Sequence, residues 1–390
     1  MMKLEIIDNS LDFEKLIPAW DKIYNALSLQ PPFSVSDWNL TWWKHYGKDN
    51  QLFILTIYQD NELCGIAPLY IQQKNSIKTI KFLSSGESDY LDFLFLPERE
   101  KECLTFIFDY LFKQKNWDIL DLTDIPEQSV LAQNYTELLS PLSTAGMTLL
   151  PDIICPYLQW EQSYDEFLKS KSSNFRYDLK RKLKRAKQLG EVSFRVIENM
   201  DDCISFAKIA EIYQKRWEKK ATDSIIRSDI GQQFLEEMCK IWETKKYLKI
   251  PVMTINDKPV AFCLGFIEHN KFYYYIPSFD TEFVNISPGN LLIEFIVENF
   301  QNLGITELDF MKGEESYKLK WSSTFRTNYR LLVANNLIKS KLIYLSQLNY
   351  IKFKNIAKTS ETLRWIRFDL LGKIKYLLKT ISNSTLTHKN

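Results

Sequence analysis

Three histidines in 390 residues leave little room for imidazole chemistry. His45 follows two tryptophans, His269 sits in a His-Asn-Lys turn, and His388 falls in a stretch expected to fray. No Gly-x-Ser-x-Gly elbow occurs, which removes one common arrangement for a serine nucleophile. The six cysteines, at 64, 103, 155, 203, 239 and 263, form no Cys-x-x-Cys pair. Scattered thiols of this kind fit a reducing compartment, and neither a disulfide frame nor a zinc site. No metal is expected. The opening residues, Met-Met-Lys-Leu-Glu-Ile-Ile-Asp, lack the apolar core of a secretory signal. No stretch approaches the ~20 apolar residues that a membrane span needs. The expectation is a cytoplasmic protein.

Aromatic residues, by contrast, are plentiful: 25 Phe, 20 Tyr and 10 Trp supply ample apolar area for burial. The length predicts two or three domains. A net charge of +1 conceals an asymmetry. Residues 336–390 hold 11 Lys/Arg against Glu361 and Asp369, a balance of +9, which leaves −8 for residues 1–335. An acidic body with a basic tail points to an anionic partner for the tail.

A weak internal duplication organises the chain. Residues 52–58 and 63–71 read as two strands around an Asp60-Asn61-Glu62 turn; residues 252–255 and 260–267 repeat this around Asn256-Asp257-Lys258. Each hairpin is followed by a strand (89–96 and 271–276), a helix (98–115 and 289–303) and a short β run (117–122 and 305–310). Asp121 and Asp309 fall at equivalent places, 188 residues apart. A period this long implies two similar domains, each a mixed α/β lobe around a largely antiparallel sheet flanked by helices. Ser, Thr, Pro and Gly gather at 128–155, so the lobes are predicted at 1–150 and 151–335, with a basic helical tail at 336–390. Helices are expected at 163–189 and 202–219, before the second sheet.

The run Ser287-Pro288-Gly289-Asn290-Leu291-Leu292, a helix, Gly304, then Leu308-Asp309-Phe310-x-x-Gly313-x-x-x-Tyr317-Lys318-x-x-Trp321 resembles the CelD/BcsL-like acetyltransferases. This family is a branch of the GNAT superfamily related to the FemAB-type peptidyltransferases. The basic segment Ser172–Gly190, Phe33-x-x-x-x-Trp38 and the Trp42-Trp43 pair are also similar to it. The resemblance covers roughly 30–335 and implies tandem GNAT-like lobes and an acyl-CoA, such as acetyl-CoA, as co-substrate. The chain departs from the GNAT pattern in lacking Gln/Arg-x-x-Gly-x-Gly/Ala, and has Ser-Pro-Gly-Asn in its place.

Several residues become candidates on this footing. Ser287, Gly289, Asn290 and Leu291 open an apolar helix, where exposed N–H groups can hold a pyrophosphate; a plain turn reads equally well. Asp309 ends a strand beside a flexible loop, suited to a general base or to an architectural cap. Tyr275 or Tyr317 can protonate a departing thiolate, or simply pack with a bonded hydroxyl. Strand alternation sends Tyr274 to one face and Tyr273 and Tyr275 to the other. Lys318 and Trp321 complete the resembling run as substrate contacts. Residues 169–187 carry nine basic side chains against Asp178. Phe175, Leu179, Leu183 and Ala186 recur at helical spacing, so this is either a solvated basic face or a phosphate contact, with Arg176 and Arg181 best placed to grip an anion.

In the tail, Leu363, Ile366, Leu370, Ile374, Leu377 and Ile381 make one stripe among basic residues. That pattern suits docking on the body or lying on an anionic membrane at its inner face. The leading expectation is an acyl-CoA-dependent N-acyltransferase acting on a small or lipid-linked amine acceptor, an amino sugar or a glycan precursor in envelope or exopolysaccharide synthesis. The alternatives are a FemAB-like transferase using aminoacyl-tRNA, and a non-catalytic GNAT-like binding protein.

Overall fold

The computed structural model describes residues 2–139, 146–160, 162–200, 206–217 and 225–359. The first half runs β1 (Met2–Ile7), α1 (Ser10–Ala26), α2 (Ser36–Tyr46), β2 (Asn50–Leu52), β3 (Ile54–Gln59), β4 (Glu62–Ala67), β5 (Leu69–Lys74), β6 (Ile77–Phe82), β7 (Leu94–Phe95), α3 (Glu100–Lys113), β8 (Ile119–Pro126) and α4 (Val130–Asn134). The second runs β9 (Met147–Gln159), α5 (Tyr164–Ser170), α6 (Ser173–Leu189), β10 (Val192–Ile197), α7 (Phe206–Trp217), α8 (Asp229–Thr244), β11 (Leu248–Ile255), β12 (Lys258–Glu268), β13 (Lys271–Phe279), α9 (Pro288–Glu298), β14 (Glu307–Asp309), α10 (Ser316–Trp321), β15 (Thr324–Ala334) and α11 (Ile338–Thr359).

The duplication extends over both lobes. An antiparallel pair opens each one, β1 with β3 and β10 with β11. The tight turns repeat: Asp60-Asn61 and Asn256-Asp257, then Asn75-Ser76 and His269-Asn270, all hold positive φ at both central residues. Such turns match the right-handed twist of the strands they join. The second lobe's long β12 corresponds to β4 and β5 of the first, which Pro68 separates into different sheets. The partner of β13 in the first lobe is therefore β6, not residues 89–96. In that segment only Leu94–Phe95 are strand.

Each lobe then places its last paired strand parallel, β6 with β8 and β13 with β14. Beyond this point the lobes exchange strands. β9, which follows the first lobe, pairs with β14 of the second; β15, which follows the second, pairs with β8 of the first. β9 and β15 also pair with one another. The result is one eleven-stranded sheet across both lobes, with a separate four-stranded sheet of β1, β3, β4 and β7. The expected junction at 150/151 lies inside β9.

The helix expected at 163–189 is two helices, because Lys171 and Ser172 are extended and the Ser172 side chain accepts from the Phe175 N–H to start α6. Two large cores fill the body. One holds Trp20, Trp38, Phe82 and Phe108, and the other Phe272, Phe300, Phe310 and Trp321 around α9. α11 packs Tyr344, Leu348 and Ile351 on Ile119, Leu332 and Ala334. The stripe expected at 363–381 lies outside the described residues.

Candidate active site

The site opens where β13 and β14 part. Their register covers only Lys271↔Glu307 to Tyr273↔Asp309. Beyond it, residues 274–279 continue along β12 while the chain after Asp309 turns away. The gap is widened by a bulge: Leu264 faces Ile276 and Phe266 faces Tyr273, so Gly265 alone opposes Tyr274 and Tyr275. A Cβ on Gly265 would lie 2.6 Å from Phe272 Cζ and 2.7 Å from the Tyr273 carbonyl, which leaves glycine as the residue that fits. The expected alternation holds, with Tyr273 and Tyr275 on the core of Trp38 and Phe266 and Tyr274 on that of Phe272 and Phe310, and the parted strands let Tyr274 and Tyr275 line one cavity from the two sides.

That cavity, about 430 Å³, joins the lobes. Gly86, Glu87 and Asp89 line it from the first, and Arg216, Tyr274, Tyr275, Lys312, Tyr317 and Lys318 from the second. A smaller cavity of about 150 Å³ shares the wall formed by Arg216, Tyr274, Pro277 and Tyr317, and ends at Ser287, Gly289 and Asn290. Ser287 reverses the chain at φ 48°, and Pro288 then starts α9 with its φ already suited to the helix. A Cβ on Gly289 would come no closer than 3.8 Å to Phe279 Cδ1, so the small cavity has room at this point. A third cavity of about 380 Å³ lies along α6, where Lys171, Ser172, Asn174, Lys182 and Lys320 surround it and Asn290 borders it.

Charge in the interlobe cavity is largely internally matched. Lys312 Nζ donates to the Ser88 carbonyl at 2.8 Å and meets Asp89 at 3.1 Å and Asp124 at 3.2 Å. Burial opposes its charge, but Asp124 and Asp89 outweigh that and hold its pKa above the usual lysine value. Lys318 pairs with Glu315 at 3.0 Å and donates to the Lys312 carbonyl at 2.8 Å. Glu87 has no ion-pair partner among the described residues. Its carboxylate accepts from Trp42 Nε1 at 2.9 Å, and burial raises its pKa. Arg216 donates to the Pro277 carbonyl at 3.3 Å and lies over the Phe279 ring.

The structure thus gathers Ser287, Gly289, Asn290, Tyr275, Tyr317 and Lys318. Tyr275 is committed, since its hydroxyl donates to the Glu87 carbonyl at 2.6 Å. Trp321 is buried behind the site, where its Nε1 donates to Asn290 Oδ1 at 3.1 Å and its ring stacks on Phe167. Leu291 belongs to the core face of α9. Arg176 donates to the Leu168 and Lys169 carbonyls at the end of α5, and Arg181 pairs with Asp178 at 2.5 Å. Asp309 lies outside the three cavities. It accepts from the Tyr90 hydroxyl, the Met311 N–H and Arg326, and burial pushes its pKa up to about 6 despite these partners. Its counterpart Asp121 is held by Arg330 at 2.6 and 2.7 Å.

Sequence reasoning did not single out Arg216, Glu87, Asp89 or Lys312. The two acids come from the other lobe, and Arg216 from the end of α7, so no spacing could link them. Among the described residues no group of three His, Cys, Asp or Glu is placed to hold a metal.

Among the described residues the first lobe has no equivalent of the cavity at the start of α9. Its counterpart helix, α3, carries Glu100 and Glu102 in the first turn, and the cavity beside it measures about 50 Å³. Acidic side chains suit a helix N-terminus but repel phosphate.

Residues 173–319 match the acetyltransferase (GNAT) domain family. This match, confined to the second lobe, supports an acyltransferase, and GNAT domains use acyl-CoA. No curated protein matches the sequence. Among solved structures the chain is similar to FemX (TM-score 0.59, 12% identity, covering 88% of this chain and 100% of that one). It is also similar to a conserved protein of unknown function from Bacteroides thetaiotaomicron (TM-score 0.53, 12% identity, 85% and 100% covered). A third is the C-terminal domain of an Agrobacterium fabrum protein described as a lysylphosphatidylglycerol synthetase (TM-score 0.51, 10% identity, 86% and 95% covered). At these identities the likeness concerns the fold.

Proposed function

We propose that the protein transfers an acyl group from an acyl-CoA thioester to a primary amine, with the donor entering along α9 and the acceptor held between the lobes. The observation that carries this reading is the shared wall of Arg216, Tyr274 and Tyr317. One cavity behind it ends at the first turn of α9, and the other reaches Glu87 of the first lobe. Donor phosphates would meet the α9 N-terminus, with Lys171, Lys182 and Lys320 close by in the third cavity.

A thioester is already activated, so the chain has mainly to align the amine and manage two protons. The amine nitrogen attacks the thioester carbon, the C–S bond breaks, and the amide forms. Glu87 receives the proton lost by the amine, and Tyr317 supplies one to the departing sulfur. Asp309 acts by holding the end of β14 rather than by touching substrate. The resemblance to the CelD/BcsL-like family favours an amino sugar or a lipid-linked glycan precursor of envelope or exopolysaccharide synthesis as acceptor.

A second reading, aminoacyl-tRNA as donor, is favoured by the basic helix α6 that borders the third cavity. Binding through many phosphates weakens steeply with salt, which distinguishes it.

Thermal unfolding with acetyl-CoA, longer acyl-CoAs and free CoA tests the donor. A ligand at 100 times its dissociation constant adds about 2.7 kcal/mol. A rise in midpoint that Gly289→Trp abolishes supports the reading. A folded protein that no CoA species stabilises would sink it.

A further inference from the structure

Among the described residues, fourteen large hydrophobic side chains are exposed, and six of them lie between Leu337 and Phe353. Their placement on α11 is ordered. Ile338, Leu342, Leu345 and Phe353 are 81%, 64%, 52% and 50% exposed and fall on one stripe, with steps of 4, 3 and 8 residues. The opposite face carries Ser340, Tyr344, Leu348 and Ile351, all buried against the body. α11 is therefore apolar on two sides. One side is consumed by packing, and the other meets solvent.

Lone exposed apolar residues are ordinary, but a row of them on one helix face, here interrupted by Asn349 between Leu345 and Phe353, marks a contact surface. Charge indicates which contact. Lys341 and Lys352 flank the stripe, and residues 336–390 carry the +9 balance while the rest of the chain carries −8. An anionic surface would repel the body and attract this end, which orients the protein with α11 facing that surface. No described helix is long and apolar enough to cross a membrane, so the contact is with a surface.

We propose that the exposed face of α11 is the surface by which this protein rests on an anionic lipid bilayer. Ile338, Leu342, Leu345 and Phe353 enter the headgroup boundary, and the flanking lysines meet lipid phosphates. The surface is built into the folded body, so it fixes orientation as well as attachment. This inference does not rest on the acyl-transfer reading.

The test uses the full chain and sedimentation with vesicles of phosphatidylcholine containing about 30% phosphatidylglycerol, with pure phosphatidylcholine vesicles for comparison. The wild-type chain should sediment with the anionic vesicles, and less so as salt is raised. The combined substitution Ile338→Ser, Leu342→Ser and Leu345→Ser should lower that partitioning at least about tenfold, with an unchanged unfolding midpoint as the control for folding. Equal binding by the triple variant would overturn the proposal and move attachment to the residues after α11. So would a wild-type chain that ignores both kinds of vesicle. A dimer that the triple variant dissolves, without vesicle binding, would make the stripe a self-association face instead.

Discussion

The Tyr90 hydroxyl of the first lobe lies 2.9 and 2.8 Å from the two oxygens of Asp309 in the second, and donates to that carboxylate. Arg326 closes the cluster from β15, 3.3 Å from Asp309 and paired with Glu307 at 2.6 and 2.9 Å, with its guanidinium over the Tyr157 ring. Three strands and the loop of Tyr90 thus converge on one buried carboxylate, which ties the exchanged strands of the two lobes to the point where the cleft opens.

Asp309→Asn keeps the acceptor for Tyr90 but weakens the Arg326 contact, and should cost about 1–3 kcal/mol. Burial raises the folded pKa to about 6, above the unfolded value near 4. The stability this group contributes is therefore fully present below about pH 4 and lost as pH rises through about 6. The substitution should be more destabilising at pH 5 than at pH 7. Urea midpoints at the two values decide it, and the reverse order would refute the account.

Lys312 joins the lobes by a different device, a single ammonium held between Asp89 and Asp124. Lys312→Met removes the cation and strands two buried acids, for an expected loss of about 3–5 kcal/mol. Adding Asp124→Asn should recover part of it. Asp124 sits at φ 61°, where asparagine is at ease. A double variant no more stable than Lys312→Met would mean that Asp124 is not the stranded charge.

Asp92 has the opposite problem. It is buried beside α3, accepts the Phe93 N–H at 2.8 Å, and burial pushes its pKa up to about 8. Its contribution is again present below about pH 4 and falls as pH rises through about 8. Asp92→Asn should raise the unfolding midpoint at pH 8.5 by several degrees and change it little at pH 4. A lower midpoint at pH 8.5 would show that the charged form is held by something stronger than that one N–H.

The two cleft tyrosines should separate cleanly. Tyr317→Phe should reduce thiol release from acyl-CoA in the presence of an amine by about 10²–10⁴ while leaving donor binding intact. Tyr275→Phe loses only the bond to the Glu87 carbonyl and should cost about 1 kcal/mol of stability. Equal turnover for wild type and Tyr317→Phe would remove Tyr317 from the proton pathway.

Much of this fold was legible because it depends on local chemistry. The Asp60-Asn61 and Asn256-Asp257 turns require residues that accept positive φ, and the strands on either side follow from their apolar runs. Ser287-Pro288-Gly289 likewise announced a helix start. The strand exchange of β9 and β15 was not legible, since it depends on which lobe each strand reaches across to. Nor was the cleft's full membership, because Glu87 and Asp89 are carried there by the other lobe. One missed feature did have a signal. Gly265 inside an apolar strand marks a bulge, and that bulge lies opposite Tyr274 and Tyr275, which line the cleft. The misplaced strand at 89–96 has a different cause. Its alternating apolar residues are buried, but Tyr90 and Asp92 serve loop and interlobe bonds instead of a ladder.

Trp321 shows how a residue outside the cleft can govern it. Its indole is buried, lies parallel to Phe167 with centroids 6.1 Å apart, and holds Asn290 Oδ1, which borders both the small cavity and the lysine-lined one. Trp321→Phe should preserve the stacking and lose the hydrogen bond, so that Asn290 is free to turn within the first turn of α9. The expected stability loss is about 1–2 kcal/mol, from the bond and the smaller ring. Because Asn290 would no longer be held in place, acyl-CoA affinity should fall about three- to tenfold while turnover at saturating donor stays close to wild type. Asn290→Ala should weaken donor binding to the same degree, and combining the two should add little. Additive losses would mean that Trp321 acts on the donor site by packing alone.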